Sequence, residues 1–337
     1  MEYKVQNGVL ISIIIPIYNG GKYIKDIYNN IMSQTYRPIE LILVNDGSTD
    51  CSKALLDDIL RMHDSQTLVQ VKVIHKENGG IANARNTGLL DSSGKYVMFM
   101  DQDDWIEDRC VETLADAAFL YNADLIIGGF NKISETGKIE ETWNLDSQLS
   151  WSKFRITAPW GRLFKKEIID KGRITFFDTK ISEDLYFNIL FISCADRVEA
   201  VPYVGYNWRQ DCSSESHANW SKMSDDRNPL KMLTELHKKM GNSSLIDKEE
   251  MTFFFTKYLI WYLLFSSKGA RYQKVKERAE EIFSWLNANY PDFSKYAWKA
   301  VVFPQGELLK VRVCVALMLF MERMGIIKMF LKIYSNL

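Results

Sequence analysis

Three carboxylates crowd into the four residues Asp101-Gln102-Asp103-Asp104. Held close together they repel one another, and a hard divalent cation with oxygen ligands relieves that cost. Mg²⁺ and Mn²⁺ use one or two carboxylates and take other oxygens from phosphates, so the cluster points to a diphosphate ligand. Alone, the same run would serve as a solvated turn capping the helix after Trp105, because acids favour helix N-termini. Asp46-Gly47-Ser48 offers an acceptor for a base imide or a ribose hydroxyl, with Gly47 permitting a tight turn. It is also an ordinary strand-to-helix turn. From Asn78 and Gly79 through Gly88, small residues surround a single Arg85, whose fork suits a diphosphate or Asp46. Glu183 and Asp184 open a predicted helix, where a carboxylate is held as the anion and can take a proton from an acceptor. Arg209, Ser213, Ser214, Ser216 and His217 form a polar segment able to cover phosphates.

These groups need elements to position them, and the first third of the chain supplies an alternating pattern. Apolar strand-like runs lie at 10–15, 39–44, 69–74, 96–100 and 125–130. Helical spacing fills 20–35, 50–64, 82–90 and 107–121, with Ser48 or Thr49 as a cap for the second helix. Continuous apolar strands separated by amphipathic helices indicate a parallel sheet covered on both faces. In such sheets ligands bind beyond the carboxyl ends of the strands. The runs end at Pro16-Ile17-Tyr18-Asn19, Asn45-Asp46, Glu77-Asn78-Gly79 and Asp101-Gln102-Asp103, so polar residues collect at one edge. Residues 132–150 read as loop, 165–171 as a short helix, 183–194 as a helix capped by Ser182, and 197–201 and 203–208 as strands. Beyond about 226 the pattern is helical. The expected organisation is a catalytic domain over 1–225 and a helical C-terminal domain over 226–337.

Composition agrees with a folded globular protein: 47% of the 337 residues are hydrophobic and 25% charged. With 42 basic and 43 acidic side chains the net charge of -1 gives no global attraction for nucleic acid. Five scattered cysteines without a CxxC pair suit inert thiols in a reducing compartment. The N-terminus lacks signal-peptide order, so the cytoplasm is expected. Two apolar stretches, 258–267 and 313–321, fall short of a spanning helix.

Together, ISIIIPIYN, LILVNDGSTD, ENGGIANARNTG, YVMFMDQDDW and SEDLYFN, with PWGRLFKKEII and YNWRQDCSSES behind them, resemble the motifs of the family 2 glycosyltransferases over residues 10–217. The resemblance implies a GT-A fold, a Rossmann-like mostly parallel sheet flanked by helices, and an inverting transfer of the kind that builds bacterial surface polysaccharides. It implies that Pro16, Tyr18 and Asn19 line a nucleoside pocket, that Asp46 meets the base, usually uracil, and that Arg85 is a further nucleotide contact. Asn78, Gly79 and Gln102 are counted on the same side. Asp101 would approach the ribose or the metal, and Asp103 would ligate Mn²⁺ or Mg²⁺. Asp184, beside Glu183, is implied as the catalytic base. Trp160 and Arg162 match positions near sugar and acceptor, where Asp104, Arg209 and His217 are also placed. The middle residue of the DxD is often small in this family, and here it is Gln102.

The expected partners are a UDP-sugar and a glycan or lipid-linked acceptor, with no nucleic acid. Two alternatives share the sheet and metal logic. A sugar nucleotidyltransferase should carry a basic, Gly-rich triphosphate loop near the N-terminus, where only Lys22 follows Gly21. A non-catalytic partner of another transferase would not need Asp46, Asp103 and Asp184 intact. Residues 305–337 hold five basic and two acidic side chains on an apolar background. They suit either the inner face of a membrane or a dimer contact.

Overall fold

The computed structural model describes residues 8–64, 66–210, 223–240 and 245–336. The described residues form two compact units. The first takes the chain up to Ser147 and from Thr157 through the last strand. The second takes Gln148–Ile156 and the helices after Ile246, with nearly all of the helix before them.

The first unit alternates as the sequence reading expects: β1 (Ile11–Ile17), α1 (Ile24–Met32), β2 (Ile39–Asp46), α2 (Ser52–Met62), β3 (Val69–Lys76), α3 (Ile81–Asp91) and β4 (Tyr96–Phe99). It continues with β5 (Trp105–Ile106), α4 (Cys110–Tyr121), β6 (Leu125–Ile133) and β7 (Ile139–Trp143). Beyond α5 (Ser152–Arg155), which belongs to the second unit, come β8 (Arg162–Lys165), α6 (Lys166–Gly172), α7 (Glu183–Cys194) and β9 (Val198–Arg209). The sheet order is β3-β2-β1-β4-β8-β6-β9-β5, with β7 paired to β6. The four N-terminal alternating strands are parallel, with Ile11 level with Ile39 and Tyr96, and Ile39 level with Val69. Beyond β4 the sheet is mixed: β8 runs antiparallel to β4 and β6, while β9 is parallel to β6.

Every residue of β1 and β2 is buried, which fits a strand covered on both faces. Gly88 lets α3 approach closely, since a Cβ there would fall 2.4 Å from Ile14.

Four local expectations are corrected. The stretch at 132–150 is not all loop: β6 runs to Ile133 and turns into the polar strand β7, whose solvent-facing composition hides it. The two strands expected at 197–208 are one continuous strand, β9, which absorbs its irregularity as register shifts opposite Ile127–Phe130. Ser182 sits at the head of α7 in the left-handed region (φ 62°) and makes no side-chain capping bond. At α2 the ordering contact comes from Asp50, whose carboxylate accepts the Ser52 N–H at 2.9 Å, rather than from Ser48 or Thr49.

The second unit contains α8 (Leu230–Lys239), α9 (Lys248–Ser267), α10 (Tyr272–Asn289), α11 (Tyr296–Lys299), α12 (Leu309–Arg323) and α13 (Ile327–Tyr334). Asp247 caps α9 by accepting from the Glu249 and Glu250 amides. The α5 segment joins these helices because Trp151 and Phe154 pack on Phe253 and Phe254, and Lys153 pairs with the buried Glu250 at 3.0 Å. A single cut near 226 therefore separates α5 from its packing partners. Among the described residues no helix is long and apolar enough to cross a membrane.

Candidate active site

The carboxyl ends of β1, β2, β3 and β4 are tied to one another by side chains from the motif residues. Gln102 clasps the backbone of Tyr18 twice: its Oε1 accepts the Tyr18 N–H at 2.9 Å, and its Nε2 donates to the Tyr18 carbonyl at 3.1 Å. The residue that departs from the family's small middle position thus fixes the loop after β1. Asn19, at φ 48°, accepts from the Thr49 amide at 2.8 Å and donates its own N–H to Ser48 Oγ at 2.9 Å. The loops after β1 and β2 are therefore tied to each other.

Asp46 is buried, and its carboxylate organises the loop after β3. Oδ1 accepts from Lys76 Nζ at 2.5 Å and from the Gly79 amide at 3.0 Å, and Oδ2 accepts from the Gly80 amide at 2.8 Å. Lys76 stands directly across from Asp46 in the parallel register of β2 and β3, a pairing the sequence reading missed. Gly47 (φ 69°) allows the loops to touch, since a Cβ there would lie 2.6 Å from the Asn78 amide nitrogen. Asn78 and Gly79 are exposed on this rim, as are Tyr18 and Asn19, while Pro16 is buried beneath.

Arg85 does not pair with Asp46. Only 1% exposed, it donates to Asp184 Oδ1 at 2.6 Å and Asp101 Oδ1 at 2.8 Å, with Glu183 at 3.5 Å. One guanidinium gathers the acid after β4 and both acids at the head of α7, and its Cζ lies 5.2 Å from the Phe176 ring centroid. Its position inside this cluster leaves little of it for direct contact with a nucleotide. Burial drives the Asp184 carboxyl upward, Arg85 opposes that, and Glu183 and Asp101 add to it, leaving the group at about 8. Asp184 keeps 28% of its side chain accessible.

Asp104 faces the other way. It is buried, with Oδ2 accepting from Tyr206 Oη at 2.5 Å and Oδ1 from the Arg209 amide at 2.8 Å. Burial and the neighbouring Asp101 and Asp103 charges hold its carboxyl well above the usual range. The Tyr206 hydroxyl also accepts the Asp101 N–H at 3.1 Å, so β9 braces the acidic turn at both ends. Trp160 stacks on Tyr206 (4.4 Å, 5°) and Arg162 is fully buried, so both stand behind the site rather than on its surface. Burial lowers the Arg162 guanidinium to about 9 against the pull of Asp184. Arg209 lies over the Trp105 ring at 5.1 Å and the Tyr23 ring at 5.6 Å. Trp105, Tyr23 and Tyr206 escaped sequence reasoning because ring geometry and hydroxyl contacts across a hundred residues leave no periodic signal. His217, with Ser213, Ser214 and Ser216, lies outside the described residues.

Among the described residues no three His, Cys, Asp or Glu side chains form a self-sufficient metal cage. With Asp104 turned inward and Asp101 engaged by Arg85, the acidic turn offers at most one or two carboxylates. That donor set suits a cation completed by phosphate oxygens and not a structural metal.

Comparison with known proteins identifies a family and a fold. The profile described as glycosyl transferase family 2 matches residues 12–185, over half of the chain. The glycosyltransferase GlyA of Streptococcus pneumoniae serotype 4 is 34% identical over 197 residues, 53% of this chain but only 27% of GlyA's own length. The poly(ribitol-phosphate) beta-N-acetylglucosaminyltransferase TarP of Staphylococcus aureus is 26% identical over 299 residues, 85% of this chain and 87% of TarP. The crystal structure of S. aureus TarS 1–349 in complex with UDP-GlcNAc superposes with a TM-score of 0.67 at 17% identity, covering 94% of this chain and 92% of that one, which establishes the shared GT-A fold. The chain spans between about a quarter and two thirds of the length of the curated relatives GlyA, EpsJ and GlyG, but matched across its motif-bearing half and built on that fold, it belongs to glycosyl transferase family 2.

Proposed function

We propose that the chain is an inverting hexosyltransferase that moves a sugar from a UDP-linked donor to a hydroxyl of a glycan or lipid-linked glycan, at the cytoplasmic face of the cell. The observation that carries this reading is the Arg85 cluster, which brings the head of α7 beside the acidic turn after β4 although 83 residues separate Asp101 from Asp184. An acceptor base and a diphosphate-binding turn need that proximity. Tyr18, Asn19, Asn78 and Gly79 border the nucleoside, with Pro16 beneath them and Asp46 holding Gly79 and Gly80 in place behind. Asp103, with Asp101 as a second ligand or a ribose contact, would hold Mg²⁺ or Mn²⁺. When bound, such a cation neutralises the charge that develops on the departing diphosphate.

The acceptor oxygen attacks the anomeric carbon as the bond to the β-phosphate oxygen breaks. The attack is in line and so inverts an α-linked donor to a β-linked product, while the acceptor proton passes to a carboxylate oxygen of Asp184. A carboxyl raised to about 8 is a stronger base than an ordinary one once ionised. Names of relatives support the donor class: TarP is named for N-acetylglucosamine transfer, and TarS was crystallised with UDP-GlcNAc.

A thermal-shift screen of UDP-sugars with Mn²⁺, followed by donor-hydrolysis assays, tests the reading. A stabilising donor should be found, and its hydrolysis should be lost in Asp103→Ala with folding intact. If the wild type hydrolyses no nucleotide sugar, or Asp103→Ala matches it, the reading fails and the non-catalytic partner gains.

A further inference from the structure

The second unit leaves an apolar face uncovered among the described residues. On α12 the exposed side chains Leu309, Val313 and Leu317 recur every four residues and so share one stripe. Trp298, 63% exposed, meets this stripe through Phe320 at 5.6 Å between ring centroids. Past the turn at Gly325, α13 buries Ile327 and Leu331 and turns Met329 and Ile333 outward.

The charges on these two helices are predominantly basic. Between Leu309 and Tyr334 there are five basic side chains, Lys310, Arg312, Arg323, Lys328 and Lys332, against the single acid Glu322. Lys328 is drawn to Glu280 at 2.7 Å, and Lys332 lies 6.0 Å from the Tyr272 ring centroid. Lys310 and Arg323 stand exposed.

We propose that this face of α12 and α13 docks on an anionic lipid surface. Exposed Leu, Met and Trp side chains set among Lys and Arg are what an interfacial helix presents to a headgroup layer. Each basic residue near an anionic leaflet strengthens binding about fivefold. The same charge pattern disfavours a second copy of the chain. A two-fold contact sets the patch against itself, bringing basic side chains together with little acid to oppose them.

Co-sedimentation of the full chain with phosphatidylcholine vesicles, with and without roughly one-third phosphatidylglycerol, tests this. The wild type should pellet with the anionic vesicles, remain in solution with the neutral ones, and detach as salt rises. Leu317→Glu should weaken partitioning about tenfold. Lys310→Glu, a polar exchange at an exposed site, should weaken it comparably. Unchanged far-UV circular dichroism guards against misfolding in both variants. Equal binding to neutral vesicles, or none to anionic ones, overturns the proposal. So does a lipid-free dimer in light scattering that Leu317→Glu dissociates, because a second copy then covers the face.

Discussion

Arg85 carries the charge balance of the site, and replacing it with Met gives a sharp test. Met keeps an unbranched apolar stem against Phe176 but removes the cation shared by Asp101, Asp184 and Glu183. Breaking a buried ion pair from one side costs about 3–5 kcal/mol, because the orphaned charges stay behind. At roughly 2–4 °C per kcal/mol for a unit of this size, the melting temperature should fall by roughly 6–20 °C. The loss depends on pH in a defined direction. In the wild type Asp184 already holds its proton up to about 8, and removing Arg85, which opposes that rise, moves it higher still. Such groups contribute their full stability below the unfolded value, about 4, and lose it as pH rises through the folded value. Between about 4 and 8 that loss is common to both proteins, so the deficit of the variant should stay level there and grow only above about 8, where wild-type Asp184 ionises beside Arg85. Urea unfolding of the metal-free, donor-free protein at about pH 6 and about pH 9 measures it. A deficit below about 1 kcal/mol, or one that does not change with pH, refutes the assignment of Arg85 as the shared counter-charge.

Three further outcomes are expected. Because burial and like charges lift Asp184 to about 8, kcat/KM should rise with pH along a limb centred there as the base loses its proton; Asp184→Asn should abolish that limb and lower kcat by about 10²–10⁴, and a limb that survives the substitution assigns the base elsewhere. Gln102→Ala removes both bonds to Tyr18, so donor KM should rise more than kcat falls, with a stability loss of about 1–2 kcal/mol by chemical denaturation. Gly47→Ala meets both a left-handed backbone and the Asn78 amide at 2.6 Å, and should cost more than Gly137→Ala, where φ is also positive but no atom lies within 4 Å. Equal losses, expected at about 1–2 kcal/mol for the backbone strain alone, would show that the Asn78 contact is relaxed away.

The parallel half of the sheet was legible because its strands are buried on both faces and its helices are amphipathic, leaving a periodic record. The collection of Asp46, Asn78 and Asp101 at one edge followed from that topology. What escaped notice depends on tertiary contact. β7 reads IEETW, which is too polar to register as a strand and exists because β6 supplies a partner. Arg85 was expected to reach a diphosphate or Asp46; its choice of Asp184 reflects a fold that returns α7 to the end of β4, and no local spacing encodes that. Trp160 and Arg162 were placed on the sugar side, yet they are buried, since a motif position does not say which way a side chain faces.

The level register of β1, β2 and β3 also limits how this site can change by descent. Asp46 meets Lys76, Gly79 and Gly80 because β2 and β3 stay in step over eight residues. One residue gained or lost inside β2 would turn every following side chain to the opposite face and carry Asp46 away from its three donors. The loop between α2 and β3, at the other edge of the sheet, can lengthen without shifting that step. Substitutions can explore the rim at Tyr18, Asn19 and Asn78 one at a time, whereas insertions are filtered by position: tolerated below the strands, and lethal to the site within them.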